Sequence, residues 1–249
     1  MQRALRLLEA VGSHPAGAPA KQLAREAGLP LPTAYHLLRT LAHEGYLRRE
    51  NGVFVLGEAA VRLAAGGAMQ RRDSWIEDSL PHWREALGVP VYFAVYRSGE
   101  MELVAVADGA YETAADERAD FRETGHAHAI GQCLLSQLDA ASRRDHLDRH
   151  PVQPVTPYTV PDRPALLERL ERLERLDATG RMRPVVEKQE YAVGTVCAAI
   201  PVMPTAGSTA AALAISLPLH QGERLLPAID QLRVGVESLL SPFTVSISI

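Results

Sequence analysis

The sequence predicts an α+β protein in two parts: an N-terminal winged helix-turn-helix and a larger α+β domain around one antiparallel sheet. Three observations predict it. Ala20 to Leu56 reads as two short amphipathic helices about a glycine turn, followed by a hairpin. From Val91 the apolar pattern changes from helical spacing to that of strands. Charge is divided as well: residues 1–72 carry ten Lys or Arg against five Asp or Glu, and the remainder carries 16 against 25. A net charge of −4 therefore splits into a basic head and an acidic body.

In order, Gln2 to Val11 is expected to be helical, with Ala4, Leu5 and Leu8 toward a small core. Gly12 to Pro19 is a loop rich in Gly, Pro and Ala. A second helix runs from Ala20 to Ala27 with Leu23, Ala24 and Ala27 on one face, and Gly28 ends it. Pro30 and Pro32 forbid continuation, but Pro32 suits the first turn of a third helix reaching Glu44. That helix buries Leu37, Leu38 and Leu41, and Gly45 stops it. Tyr46 to Arg49 and Val53 to Leu56 then flank Glu50-Asn51-Gly52 as a hairpin.

A helix held proud of a small core fits a major groove. Near the start of the third helix, Thr33, Tyr35, His36 and Arg39 are left pointing outward. Thr33 suits a phosphate or base, and Arg39 suits guanine or phosphate. Arg48, Arg49 and Asn51 in the wing suit the sugar–phosphate edge or the minor groove. Lys21, at a helix start, is a phosphate candidate; so are Arg3 and Arg6, with solvated surface charge as the other reading. A winged module that binds protein instead of DNA is the alternative for the whole head.

Gly57 to Leu87 reads as a linker helix region. Gly66-Gly67 weakens it into a hinge, at about 1 kcal/mol per glycine relative to alanine, and Pro81 argues for a break or kink. Trp75, Ile76, Leu80 and Trp83 are packing residues. Val91 to Tyr96 and Met101 to Val106 flank Ser98-Gly99-Glu100 as a hairpin. Asp108 to Glu123 is acidic and is expected to loop over a pocket. Helices follow at His128–Leu138, Ala140–His150 and Pro164–Leu176, with Pro151 to Pro161 as a connector. Thr195–Met203 and Thr209–Leu217 are strands, and Glu223–Leu240 is an amphipathic helix. The tail from Phe243 alternates strictly and reads as an extra strand. The domains expected are therefore 1–57 (head), 58–87 (linker) and 88–249 (second domain).

Composition bounds the function. Every apolar stretch is broken by charge, Gly or Pro before it reaches membrane-spanning length. The N-terminus lacks the apolar core of a signal peptide. Two cysteines, Cys133 and Cys197, are too few for a disulfide framework. A cytoplasmic location with no membrane partner is expected. There is no Gly-x-Ser-x-Gly, phosphate-binding glycine loop, His-Glu-x-x-His or Cys-x-x-Cys, so no catalytic role is assigned. His126, His128, Cys133 and Cys197 invite a zinc reading, but their spacing matches no closed zinc site. No metal and no cofactor are expected.

The run Met1 to Gly57 resembles the DNA-binding half of the IclR family of bacterial transcription regulators. The resemblance rests on Arg3-Ala4-Leu5, Leu8, Ala24 to Pro30, Leu37-Leu38, Leu41, Glu44-Gly45-Tyr46 and Leu56-Gly57. A second block, Glu190 to Val202, is similar to the family's effector domain, and the likeness is patchy between Asp108 and Gly125. The resemblance implies a GAF/PAS-like fold for the second domain and a phosphate role for Arg3. His36 stands where the family often has arginine, which alters the expected operator sequence. The family's pocket positions correspond to Glu187, Cys197 and Ser216, with Ala214 where a second hydroxyl is common. The resemblance further implies an apolar wall from the helix containing Gly131 and Leu134. Cys197 as a small core hydrophobe and Ser216 as a partner of a neighbouring strand stay open as readings.

The expectation is a regulator whose binding to a double-stranded operator is set by a small organic acid or carbonyl effector. The chains would act as homodimers or dimers of dimers on a palindromic site. The alternative is a small-molecule sensor or enzyme with an N-terminal protein-interaction module.

Overall fold

The computed structural model describes residues 1–108, 121–173, 182–202 and 210–244. The chain divides into two compact units, Met1–Gln70 and Arg71–Ile249. The first holds helices α1 (Gln2–Gly12), α2 (Ala20–Glu26) and α3 (Leu31–His43), then strands β1 (Leu47–Glu50) and β2 (Val53–Leu56). Its core is Leu7, Val11, Leu23, Ala24, Ala34, Leu38, Leu47 and Phe54. Two inward faces differ from the sequence expectation. Leu5 is 52% exposed while Leu7 and Val11 fill the core; the α1 stripe follows i and i+4 from Leu7. On α3 the fully buried residues are Ala34 and Leu38, with Leu37 and Leu41 only half-buried. A small Ala34 lets α3 seat closely.

Helix α4 (Glu58–Leu87) follows. It runs unbroken through Gly66, Gly67 and Pro81, so neither the expected weak point nor the expected break interrupts the helix. Ile76, Leu80 and Trp83 are buried, whereas Trp75 is 40% exposed.

The second unit is a five-stranded antiparallel sheet in the order β4-β3-β7-β6-β5. The strands are β3 (Val91–Arg97), β4 (Glu100–Ala107), β5 (Val185–Lys188), β6 (Thr195–Pro201) and β7 (Ala211–Pro218). The helices are α5 (Ala129–Ser136), α6 (Ala140–Arg149), α7 (Arg163–Leu173) and α8 (Leu225–Thr244). The β3–β4 turn is tight because Ser98 and Gly99 both take positive φ, 53° and 85°. Strand β5 had no counterpart in the sequence expectation: it is placed by its pairing with β6. The extra strand expected from Phe243 begins instead as the last turn of α8, which reaches Thr244; the rest of that tail lies outside the described residues, as do Leu176 and most of the acidic stretch after Asp108.

The two faces of the sheet are built differently. Val91, Phe93, Val95, Val196, Ile200, Leu213 and Ile215 pack with Ile76, Leu80 and Trp83 of α4 and with Ile229, Leu232 and Val236 of α8. On the other face the strands present Ala94, Ala199, Ala212 and Ala214 with Tyr92, beneath Ile130, Cys133 and Leu134 of α5. Larger aliphatic and aromatic residues fill one side. Small residues on the other let α5 approach and leave space beside it.

Candidate functional site

In the first unit the fold aims a set of polar side chains outward. Gly28, at φ +64°, closes α2 and lets the Leu29 amide donate to the Ala24 carbonyl at 2.8 Å. The chain then turns into α3, whose first turn carries Pro32 and no side-chain cap. Tyr35, His36 and Arg39 are exposed and Thr33 is half-buried. Arg39 lies three residues from His36 and four from Tyr35, so the three share one helix face. Arg3 and Lys21 are exposed in the first turns of α1 and α2. In the wing, Asn51 and Gly52 take φ 49° and 88°, which sets a two-residue turn. A bridge between Ala18 and Phe54 pins the wing to the loop before α2. Arg48 and Arg49 are both exposed. As successive strand residues they face opposite sides of the ribbon, and Arg48 is paired with Glu50 at 3.0 Å.

In the second unit a cavity opens between α5 and the small-residue face of the sheet. Its empty volume is about 460 Å³, mouth included, within the common range for small-molecule sites. Tyr92, Phe121, His128 and Tyr191 give it an aromatic wall, and Thr195, Cys197 and Ser216 give it polar points. Among the described residues no Asp, Glu, Lys or Arg lines it. The start of α5, Ala129-Ile130, also borders the cavity, and no side chain caps that helix. Uncapped first-turn amides attract anions.

His128 is held in the wall by three neighbours. Its ring lies 3.7 Å from the Tyr191 ring and meets Phe121 edge-on at 5.4 Å. Its Nε2 is 3.1 Å from the Thr124 hydroxyl. Burial, with some help from nearby His126, pushes its pKa down to about 3. The imidazole is therefore neutral at physiological pH.

The strand register brings three of the resemblance-derived residues together. Glu187 is paired with Cys197 across β5–β6, and Cys197 with Ser216 across β6–β7. The Cys197 thiol reaches the Ser216 hydroxyl at 3.4 Å. Glu187 is 1% exposed and sits behind this pair, not in the lining. Its Oε2 accepts the Glu190 amide at 2.8 Å. Burial raises its pKa, against the lowering pull of the Cys197 thiol and the Glu190 and Tyr191 amides. Gly131 and Leu134 lie outside the cavity lining. Leu134 is fully buried core. A Cβ on Gly131 would stand 2.0 Å from the Gly125 carbonyl oxygen, so this glycine seats α5 on the turn before it.

Behind the wall, Arg169 pairs with Glu190 at 2.6 Å, and the Gln132 amide donates to the same carboxylate at 3.2 Å. This cluster ties α5 and α7 to the segment carrying Tyr191. The histidine–cysteine set considered for zinc is not gathered: His126 Nε2 instead contacts the Gln153 carbonyl at 2.7 Å, and Cys133 is buried with its thiol pKa pushed up to about 12. Sequence reasoning missed Tyr92, Phe121, Tyr191 and Thr195. Tyr191 and part of β6 lay inside the matched block from Glu190, which was the available signal.

Residues 1–51 match the IclR helix-turn-helix domain, and residues 80–228 match the C-terminal domain of bacterial IclR transcriptional regulators. The chain belongs to the IclR family. It is a transcriptional regulator with a DNA-binding head and an effector-binding domain, not an enzyme. No curated protein matches it by sequence. Among solved structures, an IclR homologue from Microbacterium hydrocarbonoxydans in complex with 4-hydroxybenzoate is 25% identical, with a TM-score of 0.57 over 96% of this chain and 98% of that one. The Thermotoga maritima IclR is 18% identical, with a TM-score of 0.56 and 96% of each chain covered. The inducer-binding domain of Acinetobacter PobR, a double mutant bound to 3-hydroxybenzoic acid, is 21% identical with a TM-score of 0.53 over 68% of this chain and 94% of that one. Within this IclR-family chain, no helix among the described residues is long and apolar enough to cross a membrane.

Proposed function

We propose that this regulator binds a palindromic operator as a homodimer or dimer of dimers, and that a small aromatic carboxylic acid in the α5 cavity controls that binding. The cavity carries the reading. An aromatic wall suits a planar ring, and uncapped amides at the start of α5 suit a carboxylate. Ser216, Cys197 and Thr195 suit a ring hydroxyl or carbonyl, and Glu187 fixes the Cys197 strand from behind. The hydroxybenzoate bound by the Microbacterium homologue is of this class. Ala214 removes one hydroxyl from the lining, which favours a ligand with fewer polar substituents.

On DNA, Thr33, Tyr35, His36 and Arg39 would read the major groove, while Arg3, Lys21, Arg48 and Arg49 would hold phosphates. The test is a mobility shift with the chain's own upstream DNA, with and without benzoate and its monohydroxy forms. A shift that one of these acids reverses or strengthens supports the reading, provided the same acid also binds the protein in calorimetry. Binding of no duplex at low ionic strength would refute the head assignment. Binding of DNA without response to any aromatic acid would refute the effector class.

A further inference from the structure

Away from the cavity, the tip of the β3–β4 hairpin meets the end of α6. We propose that Glu100, His146 and His150 form a binding site for one divalent zinc-class ion. One ligand atom from each lies within 4.8 Å of the other two. Around a tetrahedral zinc with bonds of about 2.1 Å the ligand atoms stand about 3.4 Å apart, so side-chain rotation closes the set.

Several features fit a metal. His146 and His150 are four residues apart across the last turn of α6, where the His150 amide still donates to the His146 carbonyl at 2.9 Å. Their rings sit 4.8 Å apart, centroid to centroid. Two imidazoles and a carboxylate are a zinc donor set. His150 Nε2 lies 2.8 Å from a Glu100 oxygen, and its Nδ1 lies 3.1 Å from Glu123. A carboxylate on the far nitrogen of a ligating histidine fixes its tautomer and turns its lone pair toward the ion. Arg149 holds the other Glu100 oxygen and the Gly99 carbonyl, which orients the carboxylate.

The independent observation is His146 itself. It is 2% exposed, and its Nδ1 is buried with no hydrogen-bond partner among the described residues. An ion-pair network between hairpin and helix would account for Glu100, Arg149 and His150. It does not account for a buried, unpartnered nitrogen beside them, which costs stability unless something accepts its lone pair.

The test uses the full chain, stripped with chelator and returned to chelator-free buffer. Zinc is titrated by calorimetry, and cobalt(II) is followed by its visible ligand-field bands. Wild type is expected to bind one zinc per chain and to show the intense bands of a four-coordinate cobalt site. His150→Ala and Glu100→Gln should each weaken zinc at least tenfold and abolish those bands, while Cys197→Ser should change neither. Both altered positions are partly exposed, so the variants should fold, and unfolding curves taken without metal check this. The proposal fails if wild type takes up no zinc. It also fails if His150→Ala and Glu100→Gln bind as tightly as wild type, or if only Cys197→Ser loses the metal.

Discussion

His128 should make this protein acid-sensitive in a way that one substitution can isolate. Folding holds the imidazole at a pKa of about 3, against 6.5 when it is free in water. Between those values the unfolded chain takes up a proton that the native chain refuses. Stability is therefore full above pH 6.5 and falls as the pH drops toward 3. The slope approaches about 1.4 kcal/mol per pH unit, and the loss between pH 7 and pH 5 is about 2 kcal/mol from this residue alone. Other groups titrate over the same range. Buried His146, with its pKa near 4, adds a loss of the same sign, while Glu187, whose pKa is raised, gives a contribution that falls as pH rises. The quantity to measure is thus a difference. Urea unfolding of wild type and His128→Asn at pH 7, 6 and 5 gives the stability gap at each pH. The variant loses the contacts with Tyr191 and Phe121, so wild type should lead at pH 7. That lead should shrink by about 2 kcal/mol at pH 5. A gap that stays constant across the three pH values would show that His128 is not held neutral by burial, and the closed aromatic wall would have to be abandoned.

Other outcomes follow from the same geometry. Gly131→Ala drives a Cβ to 2.0 Å from backbone and should cost at least about 1–3 kcal/mol in denaturant unfolding. Gly28→Ala, where no atom lies within 4 Å but φ is +64°, should cost only about 1 kcal/mol. Arg39→Ala and Arg48→Ala should each weaken operator binding, and Arg48→Ala should lower the salt slope by about one; unchanged affinity at physiological salt would remove them from the interface. Phe93→Ala, in the face packed by α4 and α8, should cost about 3–5 kcal/mol. Ala214→Leu, on the other face, should instead abolish effector binding with a smaller change in stability, read by calorimetry and unfolding together.

Much of the head was legible because its elements are punctuated. Gly28, Pro32, Gly45 and Asn51-Gly52 each force a turn or a start that local chemistry dictates, and the structure places boundaries within a residue or two of them. Inward faces were less legible. Leu5, Leu7 and Leu8 are equally apolar, and only the packing of α2 and α3 decides that Leu7 goes inside. In the second unit, β3 and β4 announced themselves through a Ser-Gly turn between apolar runs. Strand β5 did not, because its place depends on pairing with β6, which lies beyond the intervening Glu190–Gly194 turn. The candidate cavity shows the same limit. Register follows from pairing, so Glu187, Cys197 and Ser216 line up only once three strands are aligned. Tyr92 and Phe121 are far apart in sequence and no local pattern joins them. The helix containing Gly131 was read as an apolar pocket wall, whereas tertiary packing uses the missing side chain of Gly131 to admit the Gly125 backbone.

Gly66 and Gly67 pose the remaining question, because the helix that contains them is continuous. Two adjacent glycines cost α4 about 2 kcal/mol of helix stability relative to alanine. Packing among the described residues does not require them: a Cβ at either position would meet none of their atoms within 4 Å. In that respect they differ from Gly131 and Gly57, where the backbone of a neighbour occupies the space. Two glycines close to the division between the compact units at Gln70 and Arg71 leave the helix easy to deform there. Coupling between effector and operator would use that softness: an effector can shift head placement only by the difference in free energy between the states it selects. Stiffening the helix raises the cost of the deformed state and should reduce the coupling. Gly66→Ala with Gly67→Ala is therefore expected to raise thermal stability and to leave operator affinity without effector near its wild-type value. The change in affinity on adding effector should drop several-fold, in proportion to about 1–2 kcal/mol of added stiffness. A double variant that is more stable yet responds to effector as strongly as wild type would show that the signal does not pass through a bend at these residues.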